Sequence, residues 1–261
     1  MSIPILETKD LKIGYRHKNQ EKIVLENLNL QLNKGRLISL IGINGIGKST
    51  LLRTLSGAQS VLSGTINLQQ EALNTYSKED ISKEISVVFT EKISQSHLKV
   101  RELVALGRIP YTNWIGTLTP KDWDIVEEAI ELTEIKKLED QAINSLSDGQ
   151  MQKVLIARAI AQDTPIIILD EPSTHLDLYH KISLFRLLKK LCIEKDKSIL
   201  FSTHDMDLAL QISDEIIALT HDYTIQGTTQ NLIDQNIFNN FFQDEHIVFE
   251  PTERRFKITL P

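Results

Sequence analysis

The sequence is short of several things, and each shortage closes off a class of function. Cysteine occurs once in 261 residues, at Cys192, so no internal disulfide can form and the chain suits a reducing compartment. Cys192 lies in an amphipathic run with Leu184, Leu187, Leu188 and Leu191 and reads as an inert core thiol. Uninterrupted apolar runs such as 166–169 fall far short of the roughly 18–20 residues that a membrane span needs. The start, Met1-Ser2-Ile3-Pro4, has neither the basic residues nor the apolar stretch of a secretory signal, so the chain is expected to stay inside the cell. A basic excess is missing too: Lys and Arg number 29 against 35 Asp and Glu, a net charge of −6, and the cations are spread along the chain. That argues against nucleic acid as the main partner. None of His17, His97, His175, His180, His221 and His246 has metal-ligand spacing. What remains is ordinary for a globular protein, 41% hydrophobic and 25% charged, without repeats. The length fits one large domain, or one with a smaller inserted lobe.

The first third reads as strands. Ile23, Leu25, Leu28, Leu30 and Leu32 alternate with polar residues at the period of a half-buried strand. Lys34-Gly35 turns the chain into a near-continuous apolar run, 36–41, expected as a buried parallel strand. A glycine-rich loop, a short helix over 48–56 and strands at 65–68 and 85–89 follow. From about 91 to 145 the pattern is helical, with Thr119-Pro120-Lys121-Asp122 as a helix start: an N-cap threonine, a proline at N1 and an acid three residues after the cap. Helices over 151–161, 178–191 and 206–212 then alternate with strands at 165–169, 198–202 and 215–219, which predicts a parallel sheet covered on both faces. The tail, 221–261, is expected to hold one helix over 229–242 and a final hairpin.

Gly42-Ile43-Asn44-Gly45-Ile46-Gly47-Lys48-Ser49-Thr50 places four residues between a glycine and Gly-Lys-Ser, the phosphate-binding P-loop pattern. Its glycines let successive backbone N–H groups turn toward phosphate oxygens, and the loop opens a helix whose N-terminus is partly positive. Lys48 would reach the β- and γ-phosphates of ATP, and the Ser49 hydroxyl would join the Mg²⁺ shell. The apolar run 166–169 ends in Asp170-Glu171, where ligands sit in open α/β sheets. Asp170 is expected to hold Mg²⁺ directly or through water, and Glu171 to polarise the attacking water as a general base. Pro172 biases Glu171 toward extended backbone. Leu146-Ser147-Asp148-Gly149-Gln150 opens the helix that follows it; Ser147 with Gln150 is a capping box, and a serine and glycine at a helix start can also hold an anion.

In this order along the chain, the P-loop, the pentapeptide and the Asp-Glu pair resemble the ABC ATPases, in which the pentapeptide is the signature motif. The resemblance covers essentially the whole chain. It implies an α/β P-loop NTPase with a RecA-like parallel sheet, an N-terminal antiparallel β subdomain and an inserted helical lobe. The expected boundaries within one domain, 1–261, are 1–90 for the β subdomain and P-loop core, 91–145 for the lobe, 146–220 for the rest of the core and 221–261 for the tail. It implies further that Ser147 and Gly149 bind the γ-phosphate of ATP held by the opposite subunit, with Gln150 counted among the nucleotide-site residues, so that two chains pair head to tail. Ser173-Thr174-His175-Leu176-Asp177 is similar to the D-loop along that seam, with Asp177 counted among the nucleotide-site residues. His204 looks like the switch histidine at the γ-phosphate, and Tyr15 occupies the place of the ring that stacks on adenine. Most of the family carries a glutamine after the strand 85–89 that touches Mg²⁺; here Glu91 stands as its counterpart, or Gln95 if the loop is longer.

Two stretches narrow the resemblance. Val100-Arg101-Glu102-Leu103-Val104-Ala105-Leu106-Gly107-Arg108-Ile109-Pro110-Tyr111 and Ala161-Gln162-Asp163-Thr164-Pro165 are similar to cassettes that import ferric siderophores, haem and cobalamin. This implies integral-membrane permease partners, an extracytoplasmic substrate-binding protein acting indirectly, and a peripheral place on the cytoplasmic face of the membrane. The competing class is a soluble ABC ATPase outside transport, for example in iron–sulfur cluster assembly.

Overall fold

In the computed structural model, which describes residues 3–18, 20–89, 97–220, 223–242 and 246–259, a long strand β1 (Leu6–His17) runs antiparallel to β2 (Gln20–Leu28). The short β3 (Gln31–Leu32) continues along the same edge of β1, opposite Leu6 and Glu7. The chain then enters β4 (Leu37–Gly42), buried along its whole length, and turns into helix α1 (Lys48–Leu55). β5 (Ser63–Leu68) returns to β1, and β6 (Glu71–Ala72) closes this antiparallel sheet. The alternation expected from Ile23 holds only in part, since Ile23 is exposed while Leu28, Leu30 and Leu32 are buried. β1 itself escapes a period-two reading. Leu6 and Thr8 face inward, Asp10 then takes a left-handed conformation (φ 46°), and after this bulge Leu11 and Ile13 face inward instead.

Helix α2 (Lys78–Glu84) leads into β7 (Ile85–Val88). The lobe follows as α3 (Val100–Ala105), a 3₁₀ segment (Leu106–Tyr111) and α4 (Pro120–Leu132). Thr119 caps α4 as expected: its hydroxyl accepts from Asp122 N, and the Asp122 carboxylate accepts from Thr119 N. α5 (Asp148–Ala161) packs on both α3 and α4 and reaches the sheet, so one apolar core joins Val104 and Ile130 of the lobe to Val154, Leu169 and Phe201. Arg108 locks this junction. Buried, it donates through Nε to Asp122 Oδ1 (3.0 Å) and through Nη1 to Ala161 O (2.9 Å), with its plane over the Tyr111 ring.

β8 (Ile166–Leu169), α6 (Leu178–Lys195), β9 (Ser198–Ser202), α7 (Met206–Ile212), β10 (Glu215–Leu219) and β11 (Thr224–Gly227) complete the central sheet, ordered β11-β10-β4-β9-β8-β7 and parallel except for β11. Both faces are covered. Ile166 and Ile168 point to the core under α1 and the N-terminal sheet, while Ile167 and Leu169 point to the core under α5 and α6. Cys192 is buried on α6, as expected.

In the tail, the single helix expected over 229–242 is two pieces. α8 (Thr229–Asp234) ends where Asn236 turns left-handed (φ 57°), and a 3₁₀ segment (Ile237–Asn240) follows. The expected hairpin is present as β12 (Ile247–Glu250) and β13 (Arg255–Ile258). Phe238, Phe241, Phe249 and Phe256 pack together against α7 and β10.

Candidate functional site

At the carboxyl end of β4 the chain bends sharply into α1. Gly45 (φ 79°) and Gly47 (φ 119°) occupy backbone regions that side chains avoid, and a Cβ on Gly47 would meet Val24 at 2.6 Å. Gly47 stands at the N-cap of α1 without a side-chain cap, so the first N–H groups of the helix face the loop. Lys48 is buried and donates from Nζ to Gly42 O (2.7 Å) and Ile43 O (3.3 Å). Burial lowers its ammonium pKa below the usual lysine value, and the nearby Glu171 and Asp170 carboxylates oppose that shift. Ser49 is exposed at the loop mouth, with Asn44 and Gly45; Ile46 is buried behind it. The Tyr15 ring is half exposed, and its hydroxyl lies 3.0 Å from Thr50 Oγ1, which sets the aromatic face beside the P-loop helix.

Asp170 and Glu171 follow β8 directly. Asp170 N donates to Val88 O (2.8 Å), extending the ladder one residue beyond the strand, and its carboxylate is buried. The next residue leaves the sheet. Glu171 is left-handed (φ 49°), not the extended backbone expected before Pro172. Such a conformation costs about 1–3 kcal/mol and persists where the surroundings over-determine it. Here they do: Glu171 N donates to Ser202 Oγ (2.8 Å), and Glu171 O accepts from Thr174 N (3.3 Å) and Thr174 Oγ1 (3.1 Å). The carboxylate is held as well, since Oε2 accepts from Thr174 Oγ1 (3.1 Å) and lies 3.5 Å from His204 Nδ1. Ser202 Oγ in turn donates to Asp170 Oδ1 (2.6 Å). Ser202 does not stand out in the sequence, because a hydroxyl at a strand end is commonplace, and Thr174 is singled out there only as part of the D-loop-like stretch.

The donors here suit Mg²⁺: a buried carboxylate with Oδ1 already bonded, and a serine hydroxyl, leave phosphate oxygens and water to complete an all-oxygen shell. Among the described residues no group of three or more His, Cys, Asp or Glu is placed to hold a metal by itself. Glu91 and Gln95 lie outside the described residues.

The remaining predicted residues gather elsewhere. Ser147, exposed, caps α5; its hydroxyl accepts from Gln150 N (3.3 Å) and Gln150 Oε1 accepts from Ser147 N (3.0 Å). Gly149 packs against the turn after Glu171, where a Cβ would stand 3.0 Å from His175 O. That turn ends at Asp177, which caps α6 and accepts from His180 N and Nδ1, both at 2.9 Å. Those bonds, the backbone one first, lower the Asp177 carboxyl below its usual range. Ser147, Gly149, Gln150, His175 and Asp177 line an open groove of about 660 Å³, to which the P-loop, Asp170, Glu171 and His204 contribute nothing. The predicted residues therefore fall into two groups, one around the P-loop and the end of β8 and one along this groove.

The sequence model of the ABC transporter family matches residues 25–174. An uncharacterised ABC transporter ATP-binding protein of Methanocaldococcus jannaschii is 36% identical over 239 residues, 91% of this chain and 81% of its own. The iron(3+)-hydroxamate import ATP-binding protein of Bacillus subtilis is 37% identical over 248 residues (94% and 91%). The ferric enterobactin transport ATP-binding protein of Escherichia coli is 33% identical over 242 (92% and 88%). Among solved structures, an inward-facing ABC transporter of metal-chelate type superposes with a TM-score of 0.76 at 29% identity, over 90% of this chain and 88% of that one. A dimeric bacterial ABC transporter cassette gives 0.76 at 26% identity, over 86% and 98%.

Proposed function

This chain belongs to the ABC transporter ATP-binding family and is an ATPase, and from that premise we propose that two copies pair head to tail beneath a membrane permease and drive uptake of an iron chelate. A ferric siderophore is the first choice of cargo, with haem or cobalamin next. The observation that carries the pairing is that Ser147, Gly149 and Gln150 line a groove of their own, to which the P-loop, Asp170 and Glu171 contribute nothing. Each P-loop then faces the Ser147-Gly149-Gln150 edge of the other copy.

In this reading Tyr15 stacks on adenine, Lys48 and the amides of 42–50 grip the phosphates, and Ser49 and Asp170 hold Mg²⁺. Mg²⁺, when bound by these two residues, would supply charge neutralisation for the phosphates. Glu171 takes a proton from the attacking water while His204, beside it, contacts the γ-phosphate. Ser147 and Gly149 of the opposite copy close over that phosphate, so hydrolysis depends on pairing.

The cargo is supported by the relatives, whose names specify iron(3+)-hydroxamate and ferric enterobactin. No helix of the described residues is long and apolar enough to cross a membrane, which fits a peripheral subunit under separate permease chains, with an extracytoplasmic binding protein beyond them. An open groove of about 800 Å³ between the lobe and β7, lined by Leu106, Ile109, Pro110, Trp114, Arg158 and Gln162, offers such a permease a cytoplasmic-side seat. Its rim mixes polar residues with exposed apolar ones, Leu106, Ile109 and above all Trp114, which is 94% exposed. The test is uptake of labelled ferric hydroxamate into cells that lack their own hydroxamate cassette and express this one. Uptake that needs Lys48 and is lost in Trp114→Glu supports the reading. A chain that never leaves the soluble fraction and co-purifies only with iron–sulfur assembly factors contradicts it.

A further inference from the structure

We propose that Ser202 is a positioning residue for ATP hydrolysis, its single buried hydroxyl setting the geometry of both carboxylates at once; the proposal rests on the roles given above to Asp170 and Glu171. Ser202 is the last residue of β9, fully buried beside the end of β8. The last paired residues of those two strands are Leu169 and Phe201, so Asp170 and Ser202 stand one step past the ladder. There the chain of Glu171 turns out of the sheet, and its N–H meets the Ser202 side chain at 2.8 Å. An amide can only donate, so the serine oxygen must accept this bond, and its own proton is committed to Asp170 Oδ1 at 2.6 Å. The direction of both bonds is thereby fixed. One hydroxyl pins a metal-binding carboxylate on one side and the turned backbone of the general base on the other.

Other serines in the same sheet show that this is not what burial alone produces. Ser39 on β4, Ser86 on β7 and Ser198 at the start of β9 are as deeply buried, yet among the described residues their hydroxyls meet no hydrogen-bond partner. Without the Ser202 hydroxyl, Asp170 could rotate about its side chain, and the Glu171 N–H would be left unpaired in a left-handed turn. Both displacements act on the placement of reacting atoms and leave the grip of Lys48 and the P-loop amides alone.

The test compares Ser202→Ala, Ser202→Thr, the matched buried control Ser39→Ala, and Glu171→Gln. Turnover is measured with the Mg²⁺ dependence of binding of a fluorescent ATP analogue, and folding is checked by thermal shift. Ser202→Ala is expected to lower kcat by about 10- to 100-fold, the scale of a catalytic group misplaced by about an ångström. Its metal-free nucleotide affinity should not change, while more Mg²⁺ should be needed to reach half-maximal metal-dependent binding. Ser202→Thr keeps the hydroxyl and is expected to retain most turnover, and Ser39→Ala to be silent. Wild-type kcat and Mg²⁺ dependence in Ser202→Ala, beside an inactive Glu171→Gln, would overturn the role of Ser202 and leave the site assignment standing. Equal losses in Ser202→Ala and Ser39→Ala would reduce Ser202 to packing. A Glu171→Gln variant that hydrolyses ATP at the wild-type rate would remove the reading on which the proposal rests.

Discussion

At the carboxyl ends of β4, β8 and β9, Lys48, Asp170 and Ser202 are buried and bonded to their surroundings, and Glu171 is held by backbone and side chain alike. At the start of α5 the situation is reversed: Ser147 and Gln150 bond each other at the rim of an open groove, and Asp177 spends its carboxylate capping α6. The first region is pre-organised for a phosphate and a metal. The second has donors and shape but nothing in its own chain to act on. On the proposed head-to-tail reading, the second region would supply the missing wall of the first in another copy, with ATP between them favouring the pair.

The difference can be broken most severely at the first region. Glu171→Gln should lower turnover by about 10²–10⁴-fold, the usual contribution of a general base. Nucleotide affinity should persist, because Lys48 and the loop amides are untouched, and an ATP-dependent dimer should accumulate in size-exclusion chromatography. Wild-type turnover would dissociate Glu171 from the chemistry. A milder effect is expected at the second region. Gly149→Ala puts a Cβ 3.0 Å from His175 O, so the turn bearing Asp177 must give by a few tenths of an ångström. Turnover of the pair should fall while nucleotide binding to the single chain, followed by fluorescence, stays as it was. A loss of that binding would mean that the half-sites are not separate.

The smallest effect lies away from both regions. Burial pushes the Cys192 thiol up to about 12, from an ordinary 9.0. The folded state therefore holds this proton more tightly than the unfolded chain, and the contribution is complete below the unfolded value. Cys192 should cost stability as pH rises from about 9 toward 12, a loss that Cys192→Ala should lack in denaturant titrations at high pH. At neutral pH the thiol should resist alkylation until the protein unfolds; ready labelling of the native chain would contradict its place in the core.

How far the sequence reveals these regions depends on the kind of physics each uses. The P-loop is legible because its glycines are required by backbone geometry at fixed spacing, and the Asp170-Glu171 pair because an apolar strand must end somewhere before its carboxylates. The cap of α4 at Thr119 and the burial of Cys192 follow from local patterns and occur as read. β1 was hidden because the bulge at Asp10 shifts its inward residues from one parity to the other. The tail helix is shorter than its pattern suggests because Asn236, an ordinary polar residue in sequence, adopts the left-handed turn that ends it. Glu171 was expected to be extended from its proline neighbour alone, whereas its conformation is imposed by Ser202 and Thr174. Ser202 left no trace at all: what matters about it is a juxtaposition of two strand ends, which no local pattern encodes.

The claim that each half-site is completed by the other copy has one direct test. Two inactive proteins are prepared, Glu171→Gln and Ser147→Arg, the second carrying a bulky cation where the opposite copy's γ-phosphate would dock. In a mixed pair, one composite site holds both defects and the other holds neither. Mixing the two proteins in the presence of ATP and Mg²⁺ should therefore restore part of the wild-type hydrolysis rate. If the mixture stays as inactive as either protein alone while mixed pairs form, the half-sites do not complete one another and the head-to-tail account is wrong.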